Sequence, residues 1–84
     1  SMLKLLYMVK SNALLTHGLS LQAYSLFNIC SAARRDVITE ETHNQLMRSC
    51  QCHLEASKSL LHALDAAIER CAKEERESNE CAMQ

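Results

Sequence analysis

Across 84 residues there is no proline and one glycine, Gly18. Proline and glycine are the residues that most effectively stop a helix. A chain this poor in breakers, with apolar residues at helical spacing, folds into a few long helices and has little loop on which to build an active site. The fold class expected is all-α. Hydrophobic residues make up 48% of the chain, which suits a packed domain and not a disordered one. Tyr7, Tyr24 and Phe27 are its only aromatics, so Leu, Ala, Met and Cys must build the core.

The length allows one domain, near the lower limit for a single hydrophobic core. That domain is expected over residues 1–76, with 77–84 as a charged, frayed extension. Ser1 ahead of Met2 reads as a cleavage scar, which predicts a domain excised from a longer protein. No stretch reaches the ~18 uninterrupted apolar residues of a membrane span. The nearest run, Met2–Val9, is interrupted by Lys4 and bounded by Lys10. Cysteines stand at 30, 50, 52, 71 and 81, an odd number in a chain with few loops to staple. They are expected as free, buried thiols, which points to an intracellular, cytoplasmic setting, with the nucleus as an alternative.

Charge is unevenly spread. Residues 1–35 carry Lys4, Lys10, Arg34 and Arg35 and no acid, whereas all ten acids fall from Asp36 onward against five bases, giving +4 and −5. Four scattered cations without stacking aromatics are not a nucleic-acid face. The asymmetry instead favours packing of one half against the other.

The most economical division has three helices, over about 2–16, 20–35 and 39–76. Gly18 would close the first in the left-handed conformation, with His17 in the last turn and Ser20 capping the second. Asp36 and Thr39 are capping residues for the third, and Glu40 and Glu41 complement its N-terminal dipole. In that helix Met47, Cys50, Leu54, Ser57, Leu61, Leu64, Ile68 and Cys71 alternate spacings of three and four, a seam of more than three heptads. Leu46, Leu60 and Ala67 widen it toward a second neighbour. Leu19, Ala23, Leu26, Cys30 and Ala33 form the stripe of the preceding helix, and Met2–Val9 is apolar nearly all round. The fold expected is therefore a small three-helix bundle with a long C-terminal helix. In the alternative, Gly18 lies inside a helix at a cost of ~1 kcal/mol. Residues 2–35 and 39–73 then make a long hairpin that must dimerise into a four-helix bundle to cover its apolar arcs.

Cys50, Cys52, His53 and His43 invite a metal reading, but positions i and i+2 of a helix point ~200° apart, so Cys50 and Cys52 cannot share an ion. A Cys–His catalytic pair lacks a turn and an oxyanion donor. His17 is expected in a turn and His62 on the surface, both without partners. No metal, cofactor or enzymatic activity is expected.

In NALLTHGLSLQAYSLF, Ala13, Gly18, Ala23 and Phe27 stand five, five and four apart. This resembles the helix–turn–helix of tetratricopeptide repeats and of MIT (microtubule-interacting and trafficking) domains. In LMRSCQCHLEASKSL, Cys50, Leu54, Glu55 and Leu60 are similar to the third MIT helix. Ser20 departs from the tyrosine common there, the second helix is short and the third carries a tail. The resemblance implies a non-enzymatic adaptor whose groove takes a short amphipathic, leucine-bearing motif of a membrane-trafficking protein, Leu54 and Leu60 forming walls and Glu55 pairing with a base. The alternative is a self-associating scaffold, a homodimer that joins copies of a larger protein. Neither nucleic acid nor direct membrane insertion is expected.

Overall fold

The computed structural model describes residues 1–83. It contains two helices, α1 (Met2–Ala33, 32 residues) and α2 (Glu40–Met83, 44 residues), packed as an antiparallel hairpin. The all-α expectation holds, but there are two helices where three were expected. α1 runs straight through Gly18, which has no positive φ, so the helix expected to end at Thr16 continues to Ala33. The favourable residues on either side outweigh one glycine's penalty of about 1 kcal/mol. Correspondingly, Ser20 is not a cap and His17 is not in a turn.

Local chemistry explains the ends. The Ser1 hydroxyl caps α1 by accepting from the Lys4 amide. After Ala33 the chain turns over residues 34–39, where the Val37 and Ile38 amides both donate to the Arg34 carbonyl. The Arg34 guanidinium grips the Asp36 carboxylate through two hydrogen bonds of 2.9 and 2.7 Å, so Asp36 braces the turn and does not cap. That guanidinium holds the Asp36 carboxyl below its ordinary pKa. The Thr39 hydroxyl accepts from the Thr42 amide, and Glu40 and Glu41 occupy the first turn of α2, as their sequence positions predict.

The covered residues of α1 are Leu3, Leu6, Lys10, Ala13, His17, Ser20, Tyr24, Phe27 and Ser31, spaced alternately by three and four without a slip. They face the predicted seam of α2, whose buried members are Cys50, Leu64 and Ile68. This is a two-stranded antiparallel coiled coil. At 1.5 Å per residue α1 is ~48 Å and α2 ~66 Å long, so the last turns of α2 project past the start of α1 as continuous helix. The rod measures 72 × 16 × 12 Å. Its radius of gyration is 19.8 Å, where a compact chain of this length has about 12 Å. Its accessible surface is 6559 Å², against about 5,000 Å² for a compact protein of its mass.

No atom lies within 4 Å of a Cβ built on Gly18. Within a single hairpin, replacement by alanine is therefore expected to stabilise the helix by about 1 kcal/mol, through propensity alone. Chemical unfolding of Gly18→Ala at a concentration where the chain is monomeric would show the sign, and a loss of stability there would mean that the helix breaks at this point.

Candidate protein interface

Two surfaces emerge from the hairpin, and the seam between the helices determines both. On the α1 side the seam is short of hydrophobic bulk, since five of its nine residues, Lys10, His17, Ser20, Tyr24 and Ser31, are polar or amphipathic. All but Ser20 pair with a polar side chain of α2. His17 Nδ1 pairs with the Ser57 hydroxyl at 2.8 Å and His43 Nδ1 with the Ser31 hydroxyl at 2.7 Å, while the Tyr24 hydroxyl pairs with His53 Nδ1. In the neutral imidazole with Nε2 protonated, each hydroxyl donates to Nδ1. Phe27 stacks on His43 with ring centroids 5.9 Å apart, and Tyr24 meets His53 edge-on at the same separation. Toward the open end Lys10 Nζ lies 2.6 Å from the Asp65 carboxylate, which raises the lysine pKa by hydrogen bonding and then by charge. His17, expected to have no partner, thus anchors the middle of the seam.

The histidines and cysteines weighed as metal ligands are dispersed by the same geometry. Cys50 is buried in the seam, Cys52 is exposed on another face, and His53 is engaged by Tyr24. Among the described residues, no three His, Cys, Asp or Glu side chains are placed to hold an ion. All five thiols are free, but only Cys50 is buried; Cys30, Cys52 and Cys81 are exposed and Cys71 is half-buried, so the expectation of buried thiols fails for most of them. Burial, and then the charges of Glu75 and Glu74, push the Cys71 thiol above its ordinary pKa.

Of the three residues assigned to partner binding, Leu54 and Glu55 share an open groove of about 570 Å³ with Tyr24, Met47, Arg48 and Lys58. Leu60 does not join them. It borders a smaller depression with Ala13, Thr16 and Ala56.

The larger surface is the outer face of α1. Leu5, Met8, Asn12, Leu15, Leu19, Gln22, Leu26 and Ile29 recur at spacings of three and four on the side opposite the seam. The six apolar members are 55–64% exposed. Leu19 and Leu26, expected to face the core, therefore face out. Sequence division at Gly18 hid this stripe, because its regular spacing is visible only when residues 2–33 are read as one helix. A strip from Leu5 to Ile29 is ~36 Å long and ~10 Å wide, in the size range at which contiguous apolar surface marks an interaction site. α2 offers no such face: its exposed large hydrophobics are Leu46, Leu60 and the terminal Met83. Among the described residues no helix is long and apolar enough to cross a membrane.

Comparison with protein-family profiles, with curated proteins and with solved structures finds no match to this chain.

Ser31 is fully buried, with its hydroxyl on His43. Ser31→Ala leaves that imidazole nitrogen without its partner and is expected to destabilise the protein by about 1 kcal/mol in chemical unfolding. The Cys71 thiol, held in its protonated form, is expected to alkylate more slowly at pH 8 than the exposed Cys81, as followed by peptide mass spectrometry. Equal rates would show that Cys71 is open to solvent.

Proposed function

We propose that this chain is a non-enzymatic, self-associating helical scaffold in which two hairpins join through their α1 helices into a four-helix bundle. The observation that carries this reading is the outer face of α1, six large apolar side chains in register and more than half exposed. A helix whose outward face is this apolar is stable in water only when that face is covered as well as its seam. α2 covers one, and a second copy supplies a cover of matching length and chemistry. The surface in excess of a compact monomer, about 1,500 Å², exceeds the ~800 Å² that each partner contributes to a standard interface. In the bundle α1 is the inner helix and the polar outer face of α2 meets water. The proposed setting is intracellular, where exposed thiols such as Cys30 and Cys52 persist reduced.

A second reading keeps the MIT-type adaptor. Its support is that Leu54 and Glu55 line one groove, which would take a leucine-bearing helix with a base opposite Glu55. Arg48 and Lys58 at the same groove weaken that charge preference. The adaptor reading also leaves the α1 face uncovered, and self-association is therefore favoured.

Light scattering coupled to gel filtration decides between them. The full chain is expected to run at twice its 9.5 kDa mass. Leu15→Glu, on a side chain that is 62% exposed in the hairpin, is expected to preserve helix content by circular dichroism while weakening association by roughly 100-fold. A wild-type monomer at tens of micromolar would overturn the scaffold reading.

A further inference from the structure

We infer that the two copies meet antiparallel about a two-fold axis at residue 17 of α1, an inference that rests on the self-association proposed above and fixes its geometry. The outer stripe is self-complementary under that operation. Leu5 comes level with Ile29 of the second copy, Met8 with Leu26, and Leu15 with Leu19. The two interruptions of the stripe, Asn12 and Gln22, stand five residues to either side of residue 17. They therefore meet each other, twice, once on each side of the axis. Every apolar side chain faces an apolar one and each amide faces an amide.

This match specifies one register. Asn and Gln each carry a carbonyl acceptor and an amide donor, so a facing pair satisfies the hydrogen-bonding groups that a leucine opposite would leave stranded. A slip by one heptad would set Asn12 and Gln22 against apolar partners, the arrangement by which buried amides select register in coiled coils. The two-fold makes the contact isologous, so it closes at two copies and does not grow into a filament.

Two further features favour antiparallel over parallel pairing. α1 has no acid in its first turn and no base in its last. Antiparallel packing sets each positive end beside the other's negative end and brings Lys4 to the C-terminal turn of the second α1, where a cation is stabilising. Parallel packing would place like ends, and the two Lys4 residues, together. The flank of the stripe is also small: Ser11, Gly18 and Ser25 follow at seven-residue intervals, all exposed, and nothing lies within 4 Å of a Cβ at Gly18. The two-fold brings Ser11 beside Ser25 of the second copy and Gly18 beside its own counterpart, each offset by two residues, ~3 Å along the helix, a row that lets the two backbones approach closely.

Oxidative cross-linking of the full chain carrying both Ser11→Cys and Ser25→Cys tests the geometry. On one helix these positions are ~21 Å apart, far beyond disulfide reach, so a bridge between 11 and 25 joins two molecules. Mild oxidation followed by non-reducing peptide mapping is expected to give a covalent dimer dominated by 11–25 bridges. A dimer by light scattering with 11–11 and 25–25 bridges would overturn the antiparallel axis and leave self-association standing. A dimer with none of these bridges would move the contact off this flank and equally overturn the inference. A protein that remains a monomer and forms no bridge would overturn self-association itself.

Discussion

The hairpin depends on hydroxyl–imidazole pairs that span its two helices. Tyr24, Ser31 and Ser57 each engage a histidine of the opposite helix, and the Lys10–Asp65 ion pair extends the set toward the open end. These contacts are directional, so they allow one alignment of α1 on α2 where a seam of leucines would tolerate several. Each contributes little net stability, about 1 kcal/mol for a typical hydrogen bond. Their greater effect is on α1, because the residues that satisfy the seam occupy positions that would otherwise hold hydrophobic side chains.

The displaced hydrophobicity reappears on the far side of the same helix. Leu15, Leu19, Leu26 and Ile29 are more exposed than any member of the seam, while Cys50, Leu64 and Ile68 are the only buried apolar side chains among the described residues. A coiled-coil helix ordinarily concentrates its apolar residues on the seam and places charge outside. α1 has the reverse polarity and α2 the ordinary one. Only α2 is therefore a surface helix by composition. α1 has the composition of a helix buried on two sides, and that asymmetry gives the proposed bundle its arrangement, with α1 inside and α2 outside.

The fold class was legible from the scarcity of breakers, and so was the seam of α2. Every residue from Met47 to Cys71 predicted on that seam is covered to some degree, because an unbroken alternation of three and four over many turns has no competing pattern. Thr39, Glu40 and Glu41 likewise act where their chemistry predicts. The failure lies at Gly18. A lone glycine within a helical pattern signals either a C-cap or a tolerated interior position, and the two differ by only about 1 kcal/mol. Taking it as a cap split one helix into two, assigned Leu19 and Leu26 to a core, and left His17 without a role. The grouping of the residues proposed to meet a partner also depends on the helical turn. Leu54 and Glu55 are neighbours in sequence and share a groove, whereas Leu60, six residues on, is carried to another face by the helical turn.

A glycine retained at the middle of a 32-residue helix, with open space around it, has no explanation within one hairpin. Alanine would fit there and would favour the helix. In the proposed assembly Gly18 lies one residue from the axis, on the flank where two α1 helices approach closely, and the absence of a side chain has a purpose. The same geometry links association to folding. With three buried apolar side chains, the lone hairpin has little to set against the entropy of ordering its two helices. Most of the apolar surface that could offset this entropy lies on the face that a second copy covers. On the proposed geometry the second copy therefore adds to the stability of the hairpin, and the unfolding midpoint rises with protein concentration.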